Sequence, residues 1–310
     1  MSPDIAEAHK GVKTGAYWRG LTGGPTAAYK LAELDALIEA HRPPEVRSLL
    51  DVGCGSCEAV FHYLRRFAGS RATLLDYDAA VLEGLKARHP EAAADPRITW
   101  LAADAFALGG RPERHDIALL LDMVHEVYSF YGRPGRTPGE PVDHALGLAA
   151  VERLLDGVCA AMNPGGLVCI TDNVLCEERG PVRVRLLNPA ARGAAARFLA
   201  EYPTRRMPAR LDGDELSLPA RDFCILLTQY NKLKRGDWAR WNVEKLEIHQ
   251  YWTLAEYRRA FAARGCELFA SVGTPPEAAA EWREDFAVLE GLPGIPEKRI
   301  TLAARKRGGA

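Results

Sequence analysis

Leu49-Leu-Asp-Val-Gly-Cys-Gly-Ser-Cys57 is an apolar run that ends in an acid and then in two glycines one residue apart. The run from Arg47 to Asp51 reads as a short strand, and glycine lets the following loop turn sharply and bring its backbone close to a ligand. Helix formers follow from Glu58 to Phe67, so the loop feeds a helix whose first N–H groups are free to meet a carboxylate or phosphate. Gly-x-Gly alone is weak evidence. Its meaning depends on what surrounds it.

Outward from the loop, strands and helices alternate. A helix over Ala27–His41, with Leu31, Leu34 and Ile38 on one face, is stopped by Pro43-Pro44. Strands are expected at Ala72–Asp76, Ile98–Asp104, Asp116–Asp122 and Gly166–Asp172, with helices at Ala79–His89 and Leu148–Met162. Continuous apolar strands separated by helices predict a parallel sheet covered on both faces. Asp76 ends the second strand, 21 residues after Gly55, where a carboxylate meets the paired hydroxyls of a ribose. Asp104-Ala105 ends the third strand, suited to an exocyclic adenine amine, and Asp51 suits an amino group. All lie at the carboxyl ends of strands, where such sheets bind ligands.

With these residues in order, the chain resembles the class I S-adenosylmethionine-dependent methyltransferases. Leu49–Cys57 resembles the family's first motif, Asp76 its ribose acid and Asp104 its adenine motif. Asn163-Pro-Gly-Gly-Leu-Val-Cys-Ile-Thr-Asp172 resembles the approach to strand five. Tyr251-Trp-Thr-Leu-Ala-Glu-Tyr257 with Arg264-Gly-Cys resembles the late helix leading into strand six. The resemblance covers about Val46 to Asp172 and Tyr251 to Arg305. One departure is Cys57, where the motif has a third glycine. A nicotinamide-binding Rossmann domain fits less well, because Glu58 stands at the sixth position of G-x-G-x-x-G and would repel a pyrophosphate.

The resemblance implies a Rossmann-like α/β fold with a seven-stranded, mostly parallel sheet and helices on both faces. An N-terminal helical segment (1–45), a core (46–173 and 253–310) and a mainly helical lid insertion after strand five (174–252) follow from it. S-adenosylmethionine is the implied methyl donor. Its expected contacts are Tyr17, Asp51, Gly53, Gly55, Asp76, Tyr77, Asp104, Ala105, Asp122 and Met123.

Asp122-Met-Val-His-Glu-Val-Tyr128 follows the fourth strand, where the family places groups beside the transferring methyl. His125, Glu126 and Tyr128 are the candidate catalytic residues. His125, neutral at an ordinary pKa near 6.5, would act as a base; the alternative, that it only packs or caps the loop, stays open. Asp122, Asp172 and Asn173 also resemble the ligand set of cation-dependent, catechol-type O-methyltransferases, which would bring Mg²⁺. His125 stands where those enzymes carry Lys, so Mg²⁺ is the less favoured reading and no metal ligand is assigned.

Between Arg183 and Arg210 lie seven arginines (183, 185, 192, 197, 205, 206, 210) and a single acid, Glu201. They suggest either a solvated lid face or recognition of an anionic acceptor, with RNA as the extreme case. Against nucleic acid stands the balance of 40 basic and 41 acidic residues. The aromatics Tyr17, Trp18, Tyr128, Phe130, Tyr131, Tyr230, Trp238, Trp241, Tyr251 and Trp252 offer walls for a sulfonium or an aromatic acceptor, with ordinary packing as the alternative for most. Met1-Ser-Pro-Asp-Ile-Ala-Glu has neither the basic nor the apolar region of a signal peptide. The apolar runs are strand-length, and the seven scattered cysteines read as reduced thiols. The expectation is a cytoplasmic enzyme of secondary metabolism acting on a small aromatic or carboxylate-bearing acceptor. It has no membrane partner, nucleic acid is disfavoured, and a homodimer is compatible. A non-catalytic cofactor-binding protein and an RNA methyltransferase are the competing readings.

Overall fold

The computed structural model describes residues 25–308. Helix α1 (Pro25–His41) leads into β1 (Ser48–Val52), α2 (Glu58–Arg66), β2 (Arg71–Asp76), α3 (Ala79–Arg88), the one-turn α4 (Pro90–Ala93) and β3 (Ile98–Ala102). A 3₁₀ turn, β4 (His115–Leu121), α5 (Val124–Tyr131), α6 (His144–Ala160) and β5 (Met162–Asn173) complete the first half. The sheet order is β3-β2-β1-β4-β5-β11-β9, with β9 (Cys266–Gly273) and β11 (Arg299–Lys306) formed by the end of the chain. The first five strands pair in parallel, and β11 runs antiparallel between β5 and β9.

This is the expected seven-stranded, mostly parallel sheet. Leu49, Leu50, Val52, Ile117, Leu119, Leu120, Val168 and Ile170 are fully buried, which is why the strands read as unbroken apolar runs. The strand order reverses between β1 and β4, and the crevice at that reversal is where ligands enter such sheets. Helix α1 packs on β11 through the predicted face, with Leu34 and Ile38 buried.

Residues 174–252 leave β5 and return beside it: Leu175 N–H donates to the Trp252 carbonyl, and Leu175 bridges Thr253. Helices α7 (Pro189–Glu201), α8 (Ala220–Lys234) and α9 (Trp238–Glu244) make the insertion mainly helical. It also carries strands that the sequence reading did not anticipate. These are β6 (Pro181–Leu186), β7 (Arg210–Asp212) and β8 (Glu215–Pro219), antiparallel in the order β10-β6-β8-β7. The edge strand β10 (Phe286–Glu290) follows α10 (Leu254–Ala262) and α11 (Pro276–Asp285), from beyond the expected end of the insertion. One hydrophobic cluster runs from β4 and β5 through Phe198, Phe223, Trp241 and Phe286, so the insertion is continuous with the sheet core. Thr253 caps α10 in the predicted capping box with Glu256.

Candidate active site

A cavity of about 900 Å³ lies over the carboxyl ends of the strands and beneath the insertion. Its floor is the β1–α2 loop. Gly53 and Gly55 have φ of +66° and +48°, and Cys57 takes φ +60°, so the cysteine in the third motif position holds a glycine's conformation. The N–H groups of Gly53 and Cys54 both donate to the Leu75 carbonyl, tying the loop to β2. A Cβ on Gly53 would stand 3.2 Å from that of Met123. Gly53→Ala should therefore cost about 1–2 kcal/mol through its left-handed backbone alone, read as a lower denaturant midpoint.

Asp51, Asp76 and Asp104 all line the cavity. Asp51 is 3% exposed and Asp76 6%; burial and the neighbouring Asp76 push the Asp51 carboxyl well above its usual range. Burial likewise pushes Asp76 up to about 6, against hydrogen bonds from the backbone N–H groups of Asp78 and Gly55. Asp104 caps the 3₁₀ turn by accepting from Phe106 N–H at 2.9 Å, and Tyr131 approaches its other oxygen at 3.4 Å. Gly53, Gly55, Tyr77, Ala105, Asp122, Met123, His125 and Glu126 also line the cavity. Tyr17 and Trp18 lie outside the described residues.

Two expectations need correction. Tyr128 does not line the cavity: it is 2% exposed, stacks on Tyr251 with centroids 5.2 Å apart, and shares a 2.8 Å hydrogen bond with His144. Asp122 faces the cavity but is committed to Lys30 at 2.6 Å and Arg299 at 2.5 Å. Burial would raise its pKa, yet the two cations outweigh it and hold the carboxyl far below the usual range. Asp172 is likewise engaged by His125.

His125 sits in a buried chain of charge. Asp172 accepts its backbone N–H at 3.1 Å and engages Nδ1 at 2.8 Å, while Glu247 stands 3.5 Å from Nε2. Burial depresses an imidazole's pKa, but Asp172 and Glu247 outweigh that and push His125 up to about 10. This environment favours the imidazolium over the neutral imidazole expected from sequence. His249 stacks on it with centroids 4.4 Å apart and is pushed the other way, down to about 4, by burial and by the His125 charge.

His125, Glu247 and His249 bring three potential ligand atoms within 4.8 Å, all buried. Within it Glu247 stands 3.5 Å from Nε2 of both imidazoles. Gln229 receives Lys232 Nζ on Oε1 at 2.7 Å, so its Nε2 faces His249 Nδ1 at 3.1 Å and donates. The His249 proton then lies on Nε2, towards Glu244 and Glu247 at 3.4 and 3.5 Å. Asp172 stood out in the sequence, but Gln229, Lys232, Glu244, Glu247 and His249 did not. The polar alternation Glu247-Ile-His249, immediately before the late-helix motif, was the available signal.

The arginines of 183–210 line no part of this cavity. Arg183 and Arg185 pair with Glu215, Arg197 with Glu201, Arg205 with Asp222 and Arg210 with Asp212. Of the aromatics, Phe130 and Tyr131 line the cavity, Tyr230, Trp241, Tyr251 and Trp252 are buried, and Trp238 is exposed beneath Arg197.

Residues 49–130 match a family model described as a methyltransferase domain. Among curated proteins, the chain is 32% identical over 88 residues to the ubiquinone/menaquinone biosynthesis C-methyltransferase UbiE of Dinoroseobacter shibae. It is 35% identical over 89 residues to its counterpart in Paracoccus denitrificans. Each match covers 28% of this chain and 34% of the relative, so about a third of the relatives' length is matched. A methyltransferase from Haloferax volcanii, solved with its activator, aligns over 99% of this chain and 100% of its own at 12% identity, with a TM-score of 0.51. That likeness is one of fold. The matched methyltransferase domain, the order of the motifs and the order of the strands all agree with the class I S-adenosylmethionine-dependent methyltransferases.

Proposed function

We propose that this chain transfers the methyl group of S-adenosylmethionine to a small-molecule acceptor lodged between His125 and the insertion. The donor side rests on the left-handed glycine loop and the buried pair Asp51 and Asp76. Uncompensated carboxylates at a strand-end crevice suit a ligand carrying an ammonium, a sulfonium and ribose hydroxyls. When bound, S-adenosylmethionine supplies a methyl group activated by its sulfonium for in-line displacement.

The observation that carries the acceptor side is the Asp172–His125–Glu247 chain at the cavity wall. In this reading His125 does not wait as a neutral base. Its imidazolium is held at Nδ1 by Asp172, and its Nε2–H, which Glu247 only approaches at 3.5 Å, is the proton it shares with an ionised acceptor oxygen, lowering that group's pKa and fixing it for attack. His249, neutral and stacked on His125, keeps the ring from turning. The relatives match over only about a third of their length, so the quinone chemistry in their names does not pass to this acceptor.

The test is calorimetry with S-adenosylhomocysteine, followed by incubation of the protein with S-adenosylmethionine and metabolite fractions. Binding and a mass gain of one methylene in some component are expected. Absence of S-adenosylhomocysteine binding would sink the donor assignment. Binding without turnover of any fraction would favour a non-catalytic cofactor-binding protein.

A further inference from the structure

We propose that the β11 side of the cavity is an oxyanion subsite, with Lys298 as its principal contact, that receives a carboxylate or phosphate carried by the acceptor. This rests on the methyltransferase reading above and narrows its substrate class.

The cavity is electrically two-sided. Towards β1, β2 and β3 its lining carries Asp51, Asp76, Asp78 and Asp104. Towards β11 and the insertion it carries Lys30, Lys232, Arg235, Arg240, Lys298 and Arg299. Asp122 takes Lys30 and Arg299; Glu244 takes Lys232 and Arg240. At Asp122 one carboxylate thus meets two positive charges. Lys298 adds another and, among the described residues, pairs with no carboxylate; the Trp282 ring lies 5.8 Å from its ammonium.

Lys298 is held in place. Its backbone N–H donates to Thr274 Oγ1 at 3.0 Å, and its carbonyl accepts from Val174 N–H at 2.9 Å, immediately before β11 pairs with the end of β5. The fold therefore carries a lysine into a partly buried wall where burial and then Lys232, Arg299, Lys30 and Arg240 all oppose its charge. Such an arrangement weakens the empty protein and favours the entry of an anion. The arginines of 183–210 do not serve this purpose, because none of them lines the cavity.

The test uses the full chain loaded with S-adenosylhomocysteine, titrated calorimetrically with benzoate and with inorganic phosphate. At least one probe should bind at millimolar concentration or better. Lys298→Met should weaken it by about tenfold or more, and Lys298→Arg should retain it. Lys298→Met should also melt at the same or a higher temperature, since it removes a repelled charge; this establishes that the variant is folded. A second arm compares S-adenosylhomocysteine with 5′-methylthioadenosine, which lacks the amino acid portion. If Lys298→Met weakens the first and not the second, the subsite belongs to the donor's carboxylate and the proposal is overturned. It is overturned equally if neither probe binds the loaded protein, or if Lys298→Met binds them as before. Failure of the wild type to bind S-adenosylhomocysteine at all would instead remove the methyltransferase reading beneath it.

Discussion

Replacing Asp76 with alanine is expected to weaken S-adenosylhomocysteine binding by about 1–3 kcal/mol, roughly 5- to 150-fold, the scale of hydrogen bonds to a charged group. Asp76 ends β2 beside the glycine loop, and one of its oxygens already accepts the Asp78 N–H at 2.9 Å. The acceptor capacity that remains is what ribose hydroxyls would use. Burial has raised this carboxyl to about 6, so it loses its charge under mildly acidic conditions. Wild-type affinity should therefore fall as pH drops through about 6, while the Asp76→Ala variant should show no such limb.

Stability should move the other way. A carboxyl whose folded pKa lies above its unfolded value of 3.8 favours folding in its neutral form. That contribution is fully present below 3.8 and is lost as pH rises through 6. Asp76→Ala should consequently melt no lower than wild type at neutral pH while binding less ligand. A variant that both binds weakly and melts early would show that Asp76 holds the loop together and would remove the ribose assignment.

The donor half was legible because its signals are local. Strand, glycine loop and helix follow one another within Leu49–Arg66, and both faces of β1 and β4 are buried, leaving unbroken apolar runs. The second sheet obeys a different rule. In β6, Val182, Val184 and Leu186 point inward while Arg183 and Arg185 alternate with them, the period of a half-buried strand. Counted as charges rather than read as alternation, those arginines suggested a ligand patch; as outward positions they meet Glu215 across the sheet. The acceptor side was hidden for another reason. His125 is followed by Asp172 at a distance of 47 residues and by Glu247 only after the insertion returns. No spacing rule joins residues that only the sheet order and the returning chain bring together.

His125→Ala should lower kcat by about 10²–10³, the effect of removing one well-placed donor to a developing or bound oxyanion. The size alone does not separate a donor from a base, but the pH profile does. A neutral base with an ordinary pKa would give activity that rises through about 6.5. Asp172 and Glu247 hold the His125 proton to about 10, so the profile should carry no limb from this residue at neutral pH and should fall on its alkaline side near that value. Asp172→Asn removes the nearer charge, at 2.8 Å. The alkaline limb should then move towards neutrality, with activity recovered at lower pH, an outcome that loss of folding would not produce. The fold should report the same proton. Because the folded pKa is raised from 6.5 to about 10, His125 contributes stability that is fully present below 6.5 and is lost as pH rises through 10. Asp172→Asn should flatten that alkaline loss. Its cost near neutrality should stay below the about 3–5 kcal/mol of a broken buried ion pair, because the imidazole can shed its proton instead of remaining charged and half-paired. A wild-type profile that rises through 6.5 and is unmoved by Asp172→Asn would return His125 to the role of a neutral base.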